Sequence, residues 1–129
     1  MKPKTTRILY WTLTIIYVLA MVMDGVSGVM RVQEGKDVMI HLGYPEYAMT
    51  IFGIAKLLGA VALLQTRYIT IKEWAFAGFI INYIGAFASR AFVGDEVSLL
   101  LMPVIMLVIT FFYYYVWKRF EQLKTRESM

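Results

Sequence analysis

Residues 97–117 read VSLLLMPVIMLVITFFYYYVW, a run without one acidic or basic side chain. A helix on the surface of a soluble protein needs a polar stripe on its wet side, and this run has none. Its length is close to the roughly 20 residues with which an α-helix spans the hydrocarbon core of a bilayer. Working back along the chain, windows 73–92, 46–64 and 8–30 have the same length and character. Backbone amides in lipid find no water, so each window is expected to satisfy them within itself, as a helix. The reading is an all-α membrane protein, a single domain made of a four-transmembrane-helix bundle. Residues 118–129 form a charged tail, expected to carry the last helix briefly into water before fraying.

Composition agrees. The 129 residues are 60% hydrophobic, with a mean hydropathy of +0.62. Soluble domains hold about 45–50% apolar residues, and a small one has too much surface to hide more. The net charge of +4 does not indicate nucleic acid, because the basic residues gather at the ends of the apolar windows, where they report topology. There is no cysteine, which excludes disulfide and thiol chemistry and thiolate metal or iron–sulfur sites. The sole histidine, His41, cannot supply a bis-histidine haem or a histidine metal site. No metal site and no catalytic residue is therefore expected, and any electrons must pass through a bound group or another subunit. Lys2, Lys4 and Arg7 before an apolar run have the look of a signal peptide. The run exceeds the roughly 7–15 residues of a signal core, and no small-residue cleavage site follows, so a retained first helix is the reading.

Flanking charge sets the orientation. Lys2, Lys4, Arg7, Arg67, Lys72, Lys118, Arg119, Lys124 and Arg126 fall on one side of the four windows. Only Arg31, Lys36 and Arg90 fall on the other. The excess of Lys and Arg on cytoplasmic loops then places both termini in the cytoplasm. Trp11, Trp74 and Trp117 all fall on that same side, as an interfacial aromatic belt would. The longest connection, residues 31–45, contains Val38, Met39 and Leu42 as a short apolar stripe and is expected to form a short interfacial helix or loop. Pro103 should bend the fourth window locally.

Ionisable groups inside a spanning helix cost several kcal/mol unless paired or wet, so they are the best pointers to function. At about 1.5 Å per residue, Asp24 and Arg90 fall roughly 25 Å from the cytoplasmic edge, and Lys56 and Asn82 roughly 13 Å from it. The depths predict an outer layer pairing Asp24 with Arg90, near Arg31, Glu46 and His41, and a middle layer placing Asn82 beside Lys56. On the third window Ala75, Gly78, Asn82, Gly85 and Ser89 share one face. On the second, Gly53, Lys56, Gly59 and Ala60 do so, and on the first, Tyr17, Asp24, Gly28 and Arg31. Small residues let helices approach closely in lipid, so these faces are expected to look inward. The fourth window has little polar content besides Thr110 and is expected to pack outside as a support. The ligand-binding candidates are Lys56, Asn82, Asp24, Arg90, Tyr17 and Ser89. Each has a structural alternative: Asp24–Arg90 as a lock between helices, Asn82 as interhelical glue, and the glycines as packing devices.

The stretches His41-Leu-Gly-Tyr-Pro-Glu-Tyr47, Gly53-Ile-Ala-Lys-Leu-Leu-Gly-Ala60 and Lys72-Glu-Trp-Ala-Phe-Ala-Gly78 resemble the DoxX-like family of small bacterial membrane proteins. Segment order, loop lengths and total length fit as well, and Lys56, Glu73 and Gly78 match its pattern. The resemblance implies a multi-pass four-helix bundle in the bacterial cytoplasmic (inner) membrane. Relatives of the family look like membrane subunits of a thiosulfate:quinone oxidoreductase or are associated with oxidative-stress complexes. That implies an accessory or quinone-interacting subunit, with a quinone or other lipid-like ligand as the implied cofactor and redox-complex subunits as partners beside the lipid bilayer. Lys56 and Asn82 would then donate to a quinone carbonyl, with Tyr17, Tyr83 and Phe87 against the ring. Where relatives often have Ser then His, this chain has Ser89 then Arg90, which removes a group titrating near neutral pH. Two other readings are a small proton-coupled transporter, self-associated as a dimer and using Asp24, and a non-catalytic membrane anchor or assembly protein.

Overall fold

The computed structural model describes residues 2–128; Met1 and Met129, the last residue of the tail, lie outside the described residues. It contains five helices and, among the described residues, no strand. They are α1 (Pro3–Val29), α2 (Gln33–Leu42), α3 (Tyr47–Leu64), α4 (Ile69–Phe92) and α5 (Val97–Ser128). All but α2 are long and apolar enough to cross a membrane. The protein is a multi-pass membrane protein whose helices meet the bilayer.

Local signals explain the ends. Pro3 occupies the first turn of α1, where no backbone N–H is needed and its fixed φ suits a helix. At the end of α2, Gly43 takes the left-handed conformation at φ 85°, and the N–H of Tyr44 bonds the carbonyl of Met39 at 2.9 Å. That arrangement caps the carbonyls of the last turn. Between α3 and α4 the Gln65 side chain holds the turn, accepting from the N–H of Arg67 and Tyr68 at 3.0 and 2.7 Å.

Two boundaries differ from the sequence reading. α4 begins at Ile69 rather than 73, which puts Lys72 inside the helix. α5 does not fray after Trp117 but continues to Ser128, about 48 Å in all at 1.5 Å per residue. Hydropathy marks where lipid ends, whereas helix continues as long as its residues favour it and something holds it. The extension is rich in Lys, Arg, Glu and Gln, good helix formers. It is tied down by an ion pair of Glu127 with Arg7 and by Lys124 Nζ on the carbonyl of Thr66 at 3.3 Å.

Around the bundle α1 packs on α3 and α5, α4 packs on α3 and α5, and α2 rests on α3, so α1 and α4 lie diagonally opposite. The α1–α3 seam is close because both sides are glycine. A Cβ on Gly53 would stand 2.6 Å from the carbonyl oxygen of Gly25, and one on Gly28 would stand 2.7 Å from that of Met49. Lipid offers no hydrophobic drive between helices, so such backbone approach is a main source of their affinity.

The core lies in the half of the bundle nearer the termini and is aromatic. Tyr10, Tyr113 and Trp117 are fully buried, Phe76 nearly so. Tyr10 stacks on Phe120 at 4.1 Å between ring centres. Its hydroxyls find partners: Tyr17 with Thr110 at 2.8 Å, and Tyr113 donating to Thr14 at 2.8 Å. This overturns the expectation that the last helix packs outside as a support. Thr110, Tyr113, Trp117 and Phe120 recur at spacings of three and four and form its inward stripe; the inward signal was amphipathic aromatics rather than charges. Trp117 accordingly leaves the expected interfacial belt. It is buried, its Nε1 donating to Glu121 at 3.1 Å, while Trp11 and Trp74 stay exposed.

Candidate functional site: a polar junction between two cavities

Two cavities, one between α3 and α4 and one walled by all five helices including Met102, Pro103 and Met106 of α5, share Phe52, Lys56 and Asn82 as lining. The inner one, about 400 Å³, runs toward the termini between Leu58 and Ala62 of α3 and Trp74 and Gly78 of α4. The outer one, about 530 Å³, lies at the opposite end under Val38, Met39 and Leu42 of α2. Its wall includes Asp24, Gly85, Ser89 and Arg90. Five of the six candidate residues from the sequence therefore line these cavities. Tyr17 lines neither: it is buried with its hydroxyl on Thr110, because its place on α1 faces α5. Of the rings expected against a ligand, Tyr83 lines the outer cavity, whereas Phe87 lines neither; Phe79 and Trp74 line the inner one instead.

The pairing differs from the predicted layers. Lys56 Nζ meets Asp24 Oδ2 at 3.4 Å, and Asp24 does not pair with Arg90. Neighbourhood decides this: α1 lies against α3 but diagonally from α4. The flexible lysine stem also carries its ammonium up toward the shallower carboxylate. Asn82 is left over. Its carboxamide has no hydrogen-bond partner among the described residues, although it is half-buried at the junction of both cavities. The expected middle layer of Asn82 beside Lys56 is met to the extent that both line the same junction, but no hydrogen bond joins them, and none from Asn82 joins helices among the described residues.

Arg90 finds Asp95 in the turn after α4, at 3.0 Å. Asp95 also accepts from His41 of α2. That hydrogen bond from His41 holds the Asp95 carboxyl below its usual value, with Arg90 adding to it against a smaller opposing effect of burial. Beside it, the Tyr44 and Ser89 hydroxyls share a hydrogen bond of 2.6 Å, and Lys36 meets Glu46 at 3.1 Å. These polar contacts moor α2, which has no buried residue of its own. It is flanked by two left-handed residues, Arg31 at φ 52° and Gly43. The sequence reading missed Asp95, and the available signal was a carboxylate five residues after Arg90 across the turn at Gly94.

The glycines of α4 behave unlike those of α1 and α3. A Cβ on Gly78 or Gly85 would meet nothing within 4 Å, so they keep space open rather than bringing helices together. Lys72, counted from the sequence as a loop charge, is another departure. It is 2% exposed, bonds the Tyr10 hydroxyl, and lies 5.1 and 5.7 Å from the rings of Tyr10 and Trp117. Glu73 next to it accepts from Tyr114 at 3.0 Å and Lys118 at 2.7 Å, serving α4–α5 packing rather than a cavity.

The sequence model of the DoxX-like family matches residues 12–113. The chain belongs to the DoxX-like family. In this DoxX-like protein the matched stretch contains every residue lining the two cavities and leaves out only the first helical turns and the end of α5. Comparison with curated proteins and with solved structures gave no match. Among the described residues no group of three or more His, Asp or Glu is placed to hold a metal ion. What the junction offers is hydrogen-bond donors from Lys56 and Asn82, an acceptor from Asn82, and flat apolar walls from Phe52 and Tyr83.

Proposed function

We propose that this DoxX-like protein binds a quinone or quinone-like amphiphile within the bilayer and acts as an accessory subunit of a redox or oxidative-stress system, without catalysing a reaction alone. The observation that carries the reading is Asn82. An amide without a protein partner in a membrane bundle costs several kcal/mol unless water or a ligand satisfies it. It stands where an apolar cleft meets a cavity with several polar groups in its wall, and Lys56 lines the same junction. Carbonyl acceptors on a flat ring fit those donors and the walls of Phe52 and Tyr83.

The proposed setting is the bacterial inner membrane with both termini in the cytoplasm. With Lys72 buried and removed from the count, eight basic residues still flank the termini side against three on the other. On this reading α2 lies at the outer interface. The test is titration of a decyl-substituted benzoquinone into the full chain in nanodiscs, followed by aromatic fluorescence. Saturable binding is expected, weakened about tenfold by Asn82→Leu, the worth of one hydrogen bond. Absence of saturable binding to the wild type, while a control quinone protein binds, overturns the proposal.

The Asp24–Lys56 pair gives a second reading some support, a dimeric proton-coupled transporter in which Asp24 exchanges protons. Proteoliposome uptake that Asp24→Asn leaves unchanged removes it. Under the anchor reading, Lys56→Met would fold and keep its physiological phenotype.

A further inference from the structure

We infer that the two cavities form one polarised site, which takes an uncharged head under α2 and the head's apolar chain along the α3–α4 cleft toward the termini. This rests on the proposed binding of a quinone-like amphiphile and adds its orientation and charge class.

The charge class follows from pairing. The acidic and basic residues lining the outer cavity are Asp24, Lys56 and Arg90. Lys56 is neutralised by Asp24 and Arg90 by Asp95, at 3.4 and 3.0 Å. A carboxylate or phosphate head would bring a second negative charge beside Asp24 or Asp95, to a cation whose charge is already balanced. An uncharged head brings no such charge and uses the free amide of Asn82.

The orientation follows from how polarity is distributed. Beyond Lys56 and Asn82 the inner cavity has only apolar walls, from Phe52 to Trp74. Its mouth faces outward, where Leu58 is 67% and Trp74 72% exposed, so it is open to lipid along its length. Among mostly apolar side chains the outer cavity adds the hydroxyls of Ser89 and Tyr44, bonded to each other, and of Tyr83, which donates to Met21 Sδ, and each oxygen keeps capacity to accept. A chain laid in the outer cavity would bury these groups against hydrocarbon, and a head in the inner one would find no partner past the junction. Gly78 and Gly85 mark the two compartments, each with free space where a side chain would be.

The experiment fills one compartment at a time, with Gly78→Leu and Gly85→Leu in the full chain in nanodiscs. Neither site has an atom within 4 Å of an added Cβ, and thermal melts check that both variants fold. Three probes are titrated: decyl-substituted benzoquinone, the same dimethoxy-benzoquinone ring without its chain, and decanoate. Gly85→Leu is expected to weaken both quinones about tenfold or more. Gly78→Leu is expected to weaken the decyl compound about tenfold and change the chainless ring less than about twofold. Decanoate is expected not to compete. If the decyl quinone binds the wild type but ignores Gly78→Leu, or if Gly78→Leu hurts the chainless ring equally, the orientation is wrong while the binding proposal stands. Competition by decanoate at the quinone's own concentration range refutes the charge class. If neither quinone binds the wild type, the proposed function fails as well.

Discussion

Replacing Gly53 and Gly78 by alanine, one at a time, should move stability in opposite directions. At Gly53 the new methyl would lie 2.6 Å from the Gly25 carbonyl oxygen and 2.9 Å from the Val29 nitrogen. Both neighbours are backbone of α1, so no rotamer change relieves the contact. Ordinary carbon–oxygen contact needs α1 and α3 to separate by several tenths of an ångström along the seam that joins them. Overpacking of this kind costs about 1–3 kcal/mol. Alanine regains up to about 1 kcal/mol of helix propensity, which leaves a net loss of about 0–3 kcal/mol. At Gly78 the methyl meets nothing within 4 Å, so only the propensity term acts, and a gain of up to about 1 kcal/mol is expected. The two variants should therefore differ by about 1–3 kcal/mol, read as unfolding midpoints in mixed micelles under increasing SDS. If Gly53→Ala is as stable as Gly78→Ala, the α1–α3 seam is not held by backbone approach and the distinction between the two kinds of glycine falls.

Tyr10→Phe should destabilise the bundle by about 1.5–3 kcal/mol, because it removes the only oxygen partner of the buried Lys72 ammonium among the described residues. Lys72→Met removes the charge together with its need and should cost less; a larger loss for Lys72→Met in the same micelle assay contradicts this account. The Asp95 carboxyl is held below its usual value of 3.8, so the mooring of α2 is present above that value and is lost as pH falls through the depressed one. Amide exchange in α2, corrected for intrinsic rates, should accelerate at low pH, and Asp95→Asn should reproduce the acceleration at neutral pH. Protection of α2 that is independent of both would mean the His41–Asp95–Arg90 contacts do not hold it.

The parts of this fold that lipid dictates are legible in the sequence. A stretch such as 97–117 has no other economical conformation, and the four spanning helices follow from it. The cavity residues are also legible, because Lys56, Asn82, Asp24, Ser89 and Arg90 are groups that hydrocarbon tolerates only with a reason. Their partners are not. Depth along a helix is readable from residue number, but which helices are neighbours is not, and Asp24 met Lys56 because α1 lies beside α3. The extent of α5 was hidden for a similar reason. Its last residues are held by Arg7 and the Thr66 carbonyl, contacts between segments distant in sequence. Its central role was masked because Tyr113 and Trp117 read equally well as interface or core.

The two ends of the bundle are built on different terms. Near the termini, aromatic rings fill the interior, and no fully buried side-chain nitrogen or oxygen among the described residues lacks a partner. Under α2 the same helices diverge around about 530 Å³. Left empty, such a space would cost on the order of 10 kcal/mol at about 24 cal/mol per Å³, so lipid chain, water or a ligand fills it. A larger residue at Gly85 would fill part of it with protein instead, as one at Gly78 would in the inner cavity, and each would gain helix propensity. Selection for stability alone, all that an anchor requires, favours those changes. A site that must admit an amphiphile does not. The open space and the unpartnered Asn82 amide are the two features that the proposed guest, with its polar end, would use together.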